Sequence, residues 1–215
     1  MSAREEILTR IRAALGTTHG QAPEVPRGYR NAGADADLSR SVVLEELVDR
    51  LVDYKAVVHR CSFADLSGTV AVAAEGMASL VVPPGLARGW LTDLPASTTQ
   101  LTDDVPLTVE QLDAADGVIT GCAVAIARTG TLVLDAGPGQ GRRALTLVPD
   151  WHLCVVTADQ VVPSVPDGVA RLNPRRPLTF VSGPSATSDI ELQRVEGVHG
   201  PRTLVVVLVE DERQQ

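Results

Sequence analysis

Aromatic residues, cysteines and long apolar runs are all scarce in this sequence, and each shortage excludes a class of protein. Only 3% of the 215 residues are aromatic, so valine, leucine, alanine and isoleucine must fill the core. The three cysteines are sparse and far apart, which argues against a disulfide scaffold and fits a reducing compartment. No apolar run approaches the roughly 20 residues of a membrane span, and no apolar signal core follows the N-terminus. These shortages predict a cytoplasmic protein without a membrane span.

Iron–sulfur ligand spacings and excess basic charge are also missing. No CxxC or other cluster spacing occurs, so we expect the chain to hold no cofactor of its own. The net charge of −8 disfavours general nucleic-acid binding, which depends on a basic field over phosphates. A small carboxylate or phosphate anion is still a compatible partner, because local arginines override a weak global field.

The first 40 residues predict an arm that precedes one domain at 41–215. Ser2 and Glu5 form a capping box that opens a helix, and a linker rich in glycine and proline follows it. The apolar residues of that helix share one face: Ile7, Leu8, Ile11 and Leu15. This face needs a partner surface, either on the domain or on another subunit, and is compatible with a homo-oligomer.

Helical and strand patterns alternate from residue 41 to about Gly117, which is typical of a parallel sheet with helical crossovers. Beyond Gly117, two strand-like runs flank Thr129-Gly130 and predict an antiparallel hairpin attached to the parallel sheet. Later runs rich in valine and leucine indicate strands buried on both faces. The predicted fold class is therefore α/β, with an open, mainly parallel mixed sheet flanked by helices.

A polar run at 182–191 directly follows one of these strands. Gly183 and Pro184 force a turn, and Ser188 with Glu191 would cap a following helix. A helix N-terminus at the carboxyl end of a strand offers free N–H groups to an anion. Hydroxyl groups could add donors, from Ser182, Ser185, Thr187 and Ser188. The alternative is an ordinary capped helix, because small polar residues cluster at such starts.

A glycine-rich loop at 137–143 is the second candidate, although it matches no nucleotide-binding motif. Gly139 and Gly141 would let backbone amides approach a ligand, and Arg142 could grip a carboxylate or phosphate. The alternative is a flexible connection with solvated arginines. Because both candidate segments follow strands, we predict that they meet in one anion pocket with His199 at its edge. Replacing Arg142 with alanine should then weaken anion binding with little effect on folding.

Two His-x-Cys pairs, His59 with Cys61 and His152 with Cys154, would each share a strand face. They could form a zinc site if the two strands were adjacent, but two buried cysteines beside edge histidines are the simpler explanation. We therefore assign no metal.

His199 stands near two carboxylates in the sequence and could act as a general acid or base. A single histidine in a loop is more often structural. The catalytic candidates are His199, Asp189 and Glu191.

Five segments of this sequence recur in the same order in a known family: ARTGT at 127–131, GQGRRAL at 139–145, PDWH at 149–152, SGPSATSDIE at 182–191 and GVHGP at 197–201. Through them the chain resembles the lactate utilisation protein C family, the lactate-utilisation (LUD) domain. The resemblance adds Thr129, Gly130 and Thr131 to the expected ligand-binding residues. Arg128 departs from the family pattern, where an acidic residue is expected, so no role of that carboxylate carries over.

The resemblance implies a fold similar to those of sugar-phosphate isomerases and coenzyme A transferases. It also implies a role in electron transport, in which L-lactate is oxidised to pyruvate alongside two iron–sulfur subunits. This chain would be an accessory subunit that is not catalytic alone, which agrees with its missing cluster cysteines. The alternative is a free-standing enzyme of the same isomerase, acyl-coenzyme A transferase or folate ligase-like fold. Its acid and base would come from Asp189, Glu191, Glu196 or His199.

Overall fold

The computed structural model describes residues 2–16, 25–187, 195–196 and 200–210. The chain divides into two compact units, Met1–Arg30 and Asn31–Gln215. Within the described ranges, no helix has both the length and the apolar character needed to cross a membrane.

The first unit contains helix α1 (Ala3–Leu15), which begins at the predicted capping box. The Glu5 backbone N–H donates to Ser2 Oγ, and the Ser2 N–H donates to Glu5 Oε2 at 2.7 Å. These two bonds satisfy backbone donors that a helix N-terminus otherwise leaves unpaired. The helix buries none of its residues, and Ile7, Ile11 and Leu15 are all exposed.

The described part of the second unit contains four α-helices and twelve strands. The helices are α2 (Arg40–Asp53), α3 (Leu66–Ala73), α4 (Val109–Asp113) and α5 (Val165–Arg171). The strands are β1 (Val57–Cys61), β2 (Ser79–Val82), β3 (Thr99–Thr102), β4 (Gly117–Gly121), β5 (Val124–Ile126), β6 (Thr131–Leu134), β7 (Trp151–Thr157), β8 (Val161–Val162), β9 (Thr179–Val181), β10 (Ala186–Thr187), β11 (Val195–Glu196) and β12 (Thr203–Val209).

Six strands form a parallel sheet in the order β1-β12-β7-β4-β2-β3. Its central strands β7 and β12 are buried along nearly their whole length, because helical layers cover both faces. On one face α2 contributes Leu44, Leu47 and Leu51 to a core shared with even-numbered residues of β7 and β12. On the other face α3 packs against their odd-numbered residues. The predicted fold class is thereby confirmed.

The predicted hairpin is present, since β5 and β6 pair antiparallel around Gly130. It belongs, however, to a separate four-stranded sheet in the order β8-β5-β6-β9, so its predicted attachment to the parallel sheet is wrong. The reason is the position of β4, which lies between β7 and β2 and offers no free edge to the chain that follows it. A third pair, β10 and β11, is also antiparallel.

Candidate functional site

The two predicted ligand-binding segments lie at opposite ends of the domain. Strands β6 and β9 are antiparallel, so the chain segments that follow them leave the sheet at opposite ends. The glycine-rich loop lies at the carboxyl ends of β2 and β4, where Gly139 N–H donates to Pro84 O at 2.8 Å. Ser185 N–H instead donates to Pro201 O, which precedes the amino end of β12. The prediction that they form one pocket is therefore wrong.

Packing within the protein accounts for the shape of the glycine-rich loop. Gly141 has a φ of +70°, and a Cβ atom there would lie only 2.5 Å from Leu145 Cδ1. The buried side chain of Gln140 accepts a hydrogen bond from the Asp135 N–H through Oε1 at 2.6 Å. Gly139 is held by Pro84 and by Gly121 N–H, which donates to its carbonyl at 2.9 Å. The loop is thus tightly fixed to the sheet.

Arg142, the predicted anion ligand, forms an ion pair inside the protein. Its Nε and Nη2 atoms donate to the two carboxylate oxygens of Asp103 at 2.9 and 3.0 Å, and Nη2 also donates to Leu107 O. The Asp103 side chain is only 5% exposed. These hydrogen bonds to the Asp103 carboxylate raise the pKa of Arg142. One edge of the guanidinium is therefore committed to fixing the loop beside the connection between β3 and α4.

Replacing Arg142 with alanine should lower the free energy of unfolding by about 2 kcal/mol, because a buried carboxylate loses its charged partner. This differs from the expectation drawn from the sequence, which assumed a solvated arginine. Arg143→Ala is the matched control and should cost about 0.5 kcal/mol or less, since Arg143 is exposed and its contacts are long, at 3.3 Å. Urea unfolding measures both variants. Equal unfolding midpoints for Arg142→Ala and Arg143→Ala would contradict the structural role.

Three hydroxyl groups, those of Thr129, Thr131 and Ser182, come together beside the C-terminal end of α2. Thr131 Oγ1 lies 2.8 Å from Thr129 Oγ1 and 2.8 Å from Ser182 Oγ. Gly183 follows this cluster with a φ of +84°, and a Cβ atom there would lie 2.6 Å from Tyr54 Cβ. The glycine is therefore required for the close approach of the strand-end loop to α2.

A cleft of about 370 Å³ adjoins these hydroxyl groups. Its lining residues are Arg50, Asp53, Tyr54, Arg128 and Thr129. Arg128 is 39% exposed and makes loose ion pairs, with Asp35 at 3.4 Å and with Glu46 at 3.9 Å. Gly130 next to it packs on Arg50. Arg50 and Tyr54 were not among the predicted site residues, because nothing in the helical pattern of α2 shows which loop its exposed C-terminal turn will meet.

Ser185 lies close to Gly200 and Pro201, the last two residues of the GVHGP segment. The Ser185 Cβ atom would be 3.7 Å from a Cβ atom at Gly200, and its N–H bonds to Pro201. Segments 182–187 and 200–201 are therefore neighbours. Thr187 lies in β10, but its side chain is outside the described residues, as are Ser188, Asp189, Glu191 and His199. The capped helix and the catalytic roles of these residues stay predictions.

The two His-x-Cys pairs do not meet. Strand β12 lies between β1, which carries His59 and Cys61, and β7, which carries His152 and Cys154. The pairs also face opposite layers, since Cys61 packs on the α3 side and Cys154 on the α2 side. In the described ranges, no group of three or more histidine, cysteine or acidic residues is arranged to hold a metal ion.

His152 is instead a polar residue of the core. Its side chain is completely buried, and Nε2 lies 2.7 Å from Thr120 Oγ1. Its Nδ1 atom has no hydrogen-bond partner among the described residues. Burial disfavours the charged imidazolium and lowers the pKa of His152 to about 4.

The stability of the protein should therefore depend on pH through His152. Between pH 6.5 and about pH 4 the unfolded chain binds a proton that the folded chain excludes. The free energy of unfolding should fall by about 3 kcal/mol as the pH drops through this window, from this group alone. The variant His152→Gln lacks the titrating ring and should lose that part of the dependence. Parallel stability–pH curves for the variant and the wild type, from urea unfolding, would contradict this assignment.

Comparisons with known proteins point to one family. The model of the LUD domain matches residues 107–209. The chain is 47% identical over 211 residues to "Lactate utilization protein C" of Deinococcus radiodurans, covering 96% of this chain and 95% of that one. It is 31% identical over 169 residues to a Geobacillus kaustophilus protein of the same name, covering 69% and 70% of the two chains. A solved structure of a duf162 family protein from D. radiodurans matches with a TM-score of 0.69 and 44% identity, covering 80% of this chain and 99% of the other.

Proposed function

This chain belongs to the LUD domain family, and from that membership we propose that it serves lactate utilisation as an accessory subunit of a complex that oxidises L-lactate to pyruvate. The observation that carries the proposal is the 47% identity to the D. radiodurans protein named for lactate utilisation, a match that covers 95% of that protein. So extensive a match supports a shared role.

In this proposal the iron–sulfur clusters belong to partner subunits. Oxidation of lactate releases two electrons, which need an acceptor that this chain's cysteines are poorly placed to hold. Cys122 and Cys154 are buried in the core on the α2 side, and Cys61 lies on the opposite face of the sheet. A cluster needs several thiolates around one point. This geometry supports a subunit that leaves electron transfer to its partners.

The cleft beside α2 is the proposed site for the small anion. Arg50 and Arg128 are half exposed, and a carboxylate that binds their N–H groups in a forked geometry would displace Asp53 from Arg50 and Asp35 from Arg128. Thr129 adds a hydroxyl group that can bond to the α-hydroxyl of L-lactate. Arg128 gives this cleft a positive charge at the position where the family resemblance leads one to expect an acid. The ion pairs of Arg128 are long enough, at 3.4 and 3.9 Å, for a bound carboxylate to compete with them.

Anion binding by the cleft is tested with the purified chain. Isothermal titration with L-lactate should show binding by the wild type that weakens about tenfold in Arg128→Gln, the lower end of the range for a charged hydrogen bond. Arg143→Gln is the control because Arg143 lies outside the cleft. It should bind as the wild type does. Equal affinity for L-lactate in Arg128→Gln and the wild type would remove the cleft from the proposal.

The accessory role is tested in the organism that encodes the protein. The tagged full-length chain, purified anaerobically from cells grown on L-lactate, should retain proteins that contain iron–sulfur clusters, and the isolated chain should not oxidise L-lactate. Recovery of the chain alone, together with normal growth on L-lactate after deletion of its gene, would contradict the role. Turnover of a phosphosugar or an acyl-coenzyme A by the isolated chain would favour a free-standing enzyme instead.

A further inference from the structure

A second pocket, of about 490 Å³, lies where the segment before α2 meets β8 and α5, and it shares no residue with the cleft at Arg128. Its floor is apolar, because Val43, Val161 and Val162 are almost completely buried beneath it. Its rim carries two arginines, Arg40 at the start of α2 and Arg171 at the end of α5. An apolar floor with charge at one rim is the usual character of a small-molecule site.

The backbone of one short segment accepts hydrogen bonds from both guanidinium groups. Arg40 Nη1 donates to Ala158 O at 2.7 Å and to Val161 O at 3.2 Å. Arg171 Nη1 donates to Asp159 O at 2.7 Å. These carbonyl groups belong to the short turn before β8 and to the first residue of β8, so both arginines bind the same four-residue segment, 158–161.

In the described ranges these two arginines are bound by backbone carbonyl groups and not by carboxylates, although two carboxylates also line the pocket. Among the described residues, neither Arg40 nor Arg171 forms an ion pair. The two acids that line the pocket have other contacts: Asp35 pairs with Arg128, while Asp167 accepts from the Gly33 N–H and from Ser164. A guanidinium has five N–H donors, and the backbone contacts above use only the Nη1 atoms. Within the described ranges, the Nε and Nη2 donors of both arginines have no hydrogen-bond partner and are available to a ligand.

We propose that this pocket binds a small organic anion with an apolar body. The anionic group, a carboxylate or a phosphate, would bind Arg40 and Arg171, and an alkyl or aryl part would lie on the three valines. Neither L-lactate nor pyruvate has an apolar body of this kind, so the site serves a ligand other than the substrate proposed for the Arg128 cleft.

Hexanoate and phenyl phosphate are suitable probes, because each joins an apolar body to one of the two head groups. Isothermal titration should detect binding of at least one of the two probes. Acetate, which lacks the apolar body, and 1-hexanol, which lacks the charge, should both bind at least about tenfold more weakly. Hexanol binding as tight as that of hexanoate, in the absence of phenyl phosphate binding, would overturn the proposal.

Two variants test the location. Arg171→Gln should weaken binding of the preferred probe about tenfold, the lower end of the range for a charged hydrogen bond. Ala170→Phe places an aromatic ring in the pocket and should block it. Arg175→Gln is the matched control, because this nearby exposed arginine lies outside the pocket, and it should bind as the wild type does. Melting curves establish that each variant is folded. Unchanged affinity in both Arg171→Gln and Ala170→Phe, or no binding of either probe by the wild type, would contradict the proposal.

Discussion

The burial of β7 and β12 on both faces is the constraint on which the remaining structure depends. These strands are almost entirely apolar, so the sheet is stable only if one layer covers each face. Helix α2 and the hairpin sheet supply one layer, and α3 supplies the other. The residues of the proposed lactate cleft belong to the first layer, because α2 carries Arg50 and the hairpin carries Thr129. The cleft therefore lies where two covering elements meet.

The direction of one strand pair decides which motif residues can cooperate. Since β6 and β9 are antiparallel, Thr131 at the start of β6 meets Ser182 at the end of β9. The same pairing carries the glycine-rich loop to the far end, where Arg142 binds Asp103. The family motifs therefore form two separate regions. One is the group of hydroxyls that adjoins the cleft, and the other is the packed glycine-rich loop that fixes the carboxyl end of the sheet.

Local chemistry could be predicted from the sequence, and pairing between distant residues could not. The capping box at Ser2 is confirmed, because its partner Glu5 lies only three residues further along the chain. The fold class followed from alternating patterns. The partner of Arg142 lies 39 positions away, and no periodic pattern in the sequence indicates it. The hairpin was assigned to the wrong sheet for a similar reason, because the interior position of β4 is set by β2 and β7 together.

The claim that the Arg128 cleft receives the substrate anion is tested most directly by a crystal structure of the chain grown with L-lactate. The account predicts lactate in the cleft, with its carboxylate within hydrogen-bond distance of the Arg128 guanidinium and its α-hydroxyl near Thr129. Lactate bound instead at the glycine-rich loop, with Arg142 released from Asp103, would contradict it.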